Sequence, residues 1–215
     1  MNEQTLIDSL ASDCTGYPNR ADVLALQPFT QDEVRARASR FLSLIEEVDH
    51  CAHDRANFVT RADRTLVQLA GGARAVVYHA SGALQFHAGT TPFTAPFERV
   101  EERAVLTRLV TEAAQRLRVA EWAGENGSLA FERLFQSKGQ GADREDRLAE
   151  AVLFRATGAW RHAQGGITVL GAASVALTLC GDGRLDALAL NIRPGVAEKL
   201  DSAAVVAPEV AARQI

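Results

Sequence analysis

A chain of 215 residues, 47% hydrophobic and 23% charged, is long enough to bury a sizeable core and has the balance of an ordinary globular protein. Its formal net charge of −4 removes the electrostatic case for a nucleic-acid partner. No run approaches the ~18 apolar residues of a membrane-spanning helix, and the sparse set Cys14, Cys51 and Cys180 favours reduced thiols over a disulfide framework.

The opening residues, MNEQTLIDSLASDC, lack the basic start and continuous apolar core of a signal peptide. As it stands the sequence reads as cytoplasmic; it reads as extracytoplasmic if a signal peptide has been removed, and a Cys14–Cys51 bridge is then available. Residues 1–29 read as an N-terminal arm, with a short helix over Glu3–Ala11 followed by the turn formers Gly16, Pro18, Asn19 and Pro28. Such an arm suits an edge cover or a subunit clasp.

Thr30 and Glu33 form a capping box, in which the Thr hydroxyl and the Glu carboxylate each satisfy a free backbone N–H at a helix start. The helix that follows places Val34, Ala38, Phe41, Ile45, Val48 and Ala52 on one stripe and is expected to end near His53–Ala56. Strands are expected at 65–69, 75–79 and 83–87, with turns at Gly71-Gly72 and Ser81-Gly82. A linker containing Pro92 and Pro96 leads to a second helix over about Phe97–Val119. Its apolar positions are Val105, Leu109, Ala113 and Leu117 with Leu106, Val110 and Ala114 beside them, and Glu98, Glu101 and Glu102 occupy its first turns, where the helix dipole favours anions.

Residues 129–135 read as a strand or a short helix, with the strand favoured, and Ser137–Arg147 as a mobile Gly-rich loop. The stretch Ala151–Arg193 reads as a meander of antiparallel strands. Its Asp182-Gly183 pair between alternating apolar runs is a strong hairpin signal. A two-residue turn there pairs Cys180 with Leu185, Leu177 with Leu188 and Val175 with Leu190. Alternation then gives a core face of Val175, Leu177, Leu179, Leu188, Leu190 and Ile192. The other face carries Ser174, Ala176, Thr178, Cys180, Ala187, Ala189 and Asn191, and reads either as a half-solvated sheet face or as a shallow groove or subunit contact. The tail after Pro194-Gly195 has a weak helical pattern and is expected to lack order after about Asp201.

Helix then sheet, twice, predicts an α+β fold of two pseudo-repeated units, each an amphipathic helix packed on an antiparallel β-meander. The expected divisions are the arm 1–29, a first unit 30–96, a second unit 97–195 and a C-terminal tail 196–215. The element Gly166-Ile167-Thr168-Val169-Leu170-Gly171, the strand after it and the Gly181-Asp182-Gly183 turn resemble the sheet half of PepSY and related propeptide-type (FTP-like) domains. The first unit's segment from Ala75 to Phe86 resembles the ending of such a repeat. Thr168 stands where that family usually has proline. The resemblance implies a chaperone-like or inhibitory accessory module, with no catalytic residues to carry over.

Several clusters invite chemistry. Glu46, His50, Cys51 and His53 are metal-ligand types at helical spacing, but the wheel sends Glu46, His50 and His53 to the solvent side and Cys51 towards the apolar side, so no metal site is expected. His79 and His87 flank a turn, with Tyr78 adjacent. Arg155, Trp160 and His162 lie on the longest strand, where Trp160 and His162 share a face and could form a ligand platform. Phosphate loops, dinucleotide fingerprints, HExxH, CxxC and GxSxG elements do not occur in the sequence, and no cofactor is expected. Two functions follow as expectations. One is a non-enzymatic binding or accessory protein, able to form a homodimer, acting on a protein partner or a small-molecule ligand. The alternative is a small enzyme or small-molecule-binding protein, with a pocket between helix and curved sheet lined by Tyr78, His79, Arg155, Trp160 and His162 and holding at least one of those histidines.

Overall fold

The computed structural model describes residues 5, 20–24, 28–49, 56–89, 95–97, 102–124, 127–145, 147–169, 173–192, 199–207 and 210–211. The chain divides into two compact units, one made of residues 1–27 with 196–215 and the other of residues 28–195.

In the terminal unit β1 (Arg20–Leu24) pairs antiparallel with β11 (Lys199–Ala204), with Ala21 opposite Ala203 and Asp22 opposite Ser202. The Arg20 guanidinium donates to the Ser202 hydroxyl and carbonyl. The tail expected to lack order after Asp201 is therefore a strand up to Ala204. Most of the short helix expected over Glu3–Ala11 lies outside the described residues.

The larger unit has the expected α+β architecture, with two helices on separate groups of antiparallel strands. Helix α1 (Gln31–Asp49) is followed by β2 (Asn57–Thr60), β3 (Arg64–Gln68), β4 (Arg74–Tyr78) and β5 (Leu84–His87). Helix α2 (Arg103–Arg116) is followed by β6 (Gly127–Gly139), β7 (Val152–Gln164), the short β8 (Ile167–Thr168), β9 (Ser174–Leu179) and β10 (Leu185–Asn191). Among the described residues the sheet runs β2-β3-β4-β5-β10-β9-β7-β6, with β8 on β7. Each helix thus heads its own meander, and the meanders join through their last long strands, β5 and β10.

One cross-strand row shows both helices on the same face. Phe86, Leu188, Leu177 and Gly158 lie side by side across four strands. Phe41 of α1 meets Phe86 edge-on at 5.5 Å, and Val110 of α2 stands over Gly158. The capping box forms as expected: the Thr30 N–H donates to the Glu33 carboxylate at 2.7 Å and the Glu33 N–H donates to the Thr30 hydroxyl at 3.3 Å. Val34, Ala38, Phe41 and Ile45 are buried; the end of that stripe at Ala52 lies outside the described residues. Arg37 ties α1 to the second half. Its guanidinium lies 4.7 Å from the Trp122 ring and donates to the Ile192 carbonyl at 3.1 Å, and burial, with Arg40 beside it, pushes its pKa down to about 10.

Four differences from the sequence expectation have physical causes. Strand β2 adds a rung before the first expected strand, with Val59 opposite Leu66. Helix α2 starts at Arg103 with Glu102 in the extended conformation as its N-cap, so Glu102 precedes the first turn; Glu98 and Glu101 lie outside the described residues. Its buried positions are Leu106, Val110, Ala113 and Ala114, and Leu117 just beyond its end is buried too, whereas Val105 and Leu109 are half-buried. Strand β6 runs on to Gly139, because pairing with β7 orders residues whose composition alone suggested a loop. At the β9–β10 hairpin Leu177 pairs with Leu188 and Val175 with Leu190, but Leu185 pairs with Leu179. The turn is a three-residue loop: Gly183 N–H donates to the Cys180 carbonyl, Cys180 N–H donates to the Arg184 carbonyl, and Gly183 takes φ 81°, the left-handed position that such loops give to glycine.

Candidate functional site

The expected ligand residues fall into three places. Alternation along β7 puts Trp160 and His162 on its helix-bearing face, both buried. Arg155 points to the opposite face, where its Nε donates to the Asp186 carboxylate at 2.7 Å. Tyr78 ends β4, separated from β7 by β5, β10 and β9, with the Arg64 guanidinium 6.0 Å from its ring. His79 follows it, its Nε2 3.0 Å from the Thr65 hydroxyl. His87 is exposed on the far face, opposite Arg74. The expectation that the β4 and β7 residues line one pocket is therefore corrected: three intervening strands keep them apart.

Trp160 does line a pocket. An open cavity of about 330 Å³ lies against α2, the single-turn helix Val119–Ala123, β6 and β7, lined by Thr111, Ala114, Gln115, Arg118, Val119, Ala120, Glu121, Leu129 and Trp160. Gly158 fixes how the indole sits. A Cβ there would come within 2.6 Å of the Trp160 ring and 2.7 Å of Val110, so only glycine lets the ring fold back along β7 under α2. Phe131 of β6 braces the indole from the other side, edge-on at 5.5 Å.

The rim is built by the end of α2. Leu117 closes the helix, its N–H donating to the Ala113 carbonyl at 3.0 Å, and Arg118 N–H donates to the Gln115 carbonyl at 2.9 Å. Arg118 adopts φ 48°, ψ 38°, the left-handed conformation usually given to glycine after a helix. That costs roughly 1–2 kcal/mol for a residue with a Cβ. It projects a cation over the pocket, where Arg118 pairs with Glu47 at 3.0 Å and Glu121 with Arg40 at 2.8 Å. Both pairs are about half exposed and contribute little to stability; they fix the position of a charged rim above an apolar floor.

His162 is near the pocket in sequence but does not line it. It is 4% exposed and hydrogen-bonds the Ala123 backbone, while burial, the larger effect, holds its pKa below the ordinary 6.5. Its Nε2 has no hydrogen-bond partner. A neutral, enclosed imidazole of this kind supports the turn that carries Trp122 and Ala123; it offers no proton to the pocket. Cys180 is also buried, and burial raises its thiol pKa, with Arg155 opposing that shift.

No three acidic, histidine or cysteine side chains among the described residues group as metal ligands; His50, Cys51 and His53 lie outside those residues. No described helix is long and apolar enough to cross a membrane. Sequence reasoning found Trp160 and missed Arg118, Glu121 and Leu129. The missing signal was the end of α2, because an arginine in a glycine conformation leaves no mark on hydrophobic periodicity.

No family profile and no curated protein matches the chain. Among solved structures it is similar to an uncharacterized protein from Eubacterium rectale ATCC 33656, with a TM-score of 0.54 and 8% identity over 99% of this chain and 77% of that one. That likeness concerns the fold alone.

Proposed function

We propose that this chain is a non-enzymatic binding protein, an accessory module that holds a small, mainly apolar ligand in the pocket beside Trp160. The pocket carries the reading. Its floor is an indole fixed by Gly158 and Phe131, its walls are Ala114, Val119 and Leu129, and its charged groups, Arg118 and Glu121, stand at the rim. An apolar ligand body rests among these walls against the part of the indole that reaches the pocket and its polar edge meets the rim, the arrangement of apolar lining and few polar groups common to ligand sites. Arg118 supports it further, because strained backbone collects where a binding site needs a side chain in a fixed place. An accessory role also agrees with what the PepSY-like residues imply.

Native mass spectrometry of the full chain, purified gently from its own host, tests this directly. The expected spectrum shows a retained small molecule, which Ala120→Phe, a filling substitution at the exposed rim, displaces. In parallel the anionic dye 1-anilinonaphthalene-8-sulfonate is expected to bind saturably to the native chain and weakly to the same variant. A chain that carries nothing and binds the dye without saturation overturns the reading.

A further inference from the structure

Among the described residues strand β6 lies at the margin of the sheet, with β7 as its strand neighbour. It is 13 residues long and exposed for most of that length, with Phe131 39% and Phe135 50% exposed. The other margin, β2, has 4 residues. A long edge strand presents unpaired N–H and C=O groups to any strand that fits beside it.

The fit is set by one bulge. Phe131 pairs with Trp160 and Arg133 with Ala159, leaving Glu132 as the extra residue. Glu132 and Arg133 therefore point to the same face, where the Glu132 carboxylate contacts Arg133 at 2.6 Å and Arg161 at 3.1 Å. The alternation of β6 reverses at this point. Residues 127, 129 and 131 face the helices before the bulge, and 134, 136 and 138 after it; 128, 130, 132, 133, 135 and 137 face the other way. This pattern reads the same in both directions about the midpoint between Glu132 and Arg133.

We infer that β6 pairs antiparallel with β6 of a second copy of this chain, in the register that sets Glu132 opposite Arg133. In that register every residue meets one from its own face: Phe131 meets Leu134, Ala130 meets Phe135, Leu129 meets Gln136 and Ser128 meets Ser137. Moving the register one or two residues either way sets helix-side residues against far-side ones. The two-fold axis lies perpendicular to the sheet, so the contact is isologous and both copies keep their helices on the same side. Each Glu132 gains an arginine across the axis, and opposite charges directly across a strand pair are favourable.

The test is register-specific and uses the full chain. Sedimentation equilibrium of the native protein is expected to show a dimer. Ser128→Cys/Ser137→Cys is expected to form a disulfide-linked dimer on mild oxidation, above the background of the native chain. Ser128→Cys alone and Ser137→Cys alone are expected not to, because like positions on the two copies stand roughly 30 Å apart along the strands. Arg133→Glu, which sets carboxylate against carboxylate twice, is expected to weaken the dimer roughly tenfold. A monomer at every concentration, a double variant that does not cross-link, or single variants that cross-link as well as the double, overturns the inference. Dye binding by Arg133→Glu is expected to match the native chain, so the pocket and the edge fail or stand separately.

Discussion

The two halves of the sheet share a plan and differ in finish. The first has a 19-residue helix over strands of 4 or 5 residues. Its helix packs on β3 and β4, its outer strand is short, and the aromatic pair Phe41 and Phe86 fills the space between. The second has a 14-residue helix over strands of up to 13. The helix is too short to cover them, and the remainder becomes a pocket beyond the end of α2 and, among the described residues, a long strand at the sheet margin. The same topology is closed by one helix length and opened by another.

Substitutions can break that contrast. The largest expected effect is Phe41→Ala. Phe41 is 1% exposed and meets both Phe86 and Trp122 edge-on, so denaturant unfolding is expected to show a loss of about 3–5 kcal/mol. Gly158→Val comes next. It drives side-chain atoms into Trp160 and Val110, at an expected cost of roughly 1–3 kcal/mol, and it closes the pocket, so dye binding falls with stability. Phe41→Ala, by contrast, leaves the binding of the folded fraction unchanged.

An acid titration separates the halves more finely. His162 has a folded-state pKa below 6.5 because burial disfavours its cation. The unfolded chain therefore binds the proton more readily, and stability from this site is present above pH 6.5 and is lost as pH falls through the folded value. His162→Gln is expected to flatten the acid limb of stability against pH, measured by urea unfolding at a series of pH values. The smallest effect is Arg118→Gly. It relieves the left-handed strain at the cost of a half-exposed ion pair, and is expected to raise stability by about 0.5–1 kcal/mol while weakening the binding of an anionic dye. If stability rises and binding is unchanged, the strain serves no ligand.

Much of the fold was legible because it depends on local pattern. The Thr30–Glu33 cap and the alternating run Val175–Ile192 each state their geometry within a few residues. The features that escaped depend on distant partners. Residues Ser137–Gly139 read as loop because their order comes from β7. The Asp182-Gly183 turn was placed one residue short because the choice between two- and three-residue loops rests on whether Gly183 or its neighbour takes positive φ. At the site, period-two counting sets Trp160 and His162 on one face, as β7 does. Their supposed neighbours Tyr78 and His79 came from counting alone, which carries no information about strand order. Arg118 was invisible to any pattern, since its role comes from a backbone angle.

The joint between β5 and β10 has a consequence for how the chain is made. Ala187 sits opposite His87 and Leu190 opposite Leu84, so β5 acquires its second neighbour only after nearly all of the larger unit has left the ribosome. Until then the first meander carries an open margin at β5. Long-range pairings of this kind are slow to form, and an unsatisfied margin during synthesis is where nascent chains associate wrongly. Completion of the sheet is thus a single late event, and the rate of β10 docking governs how long the newborn chain stays vulnerable.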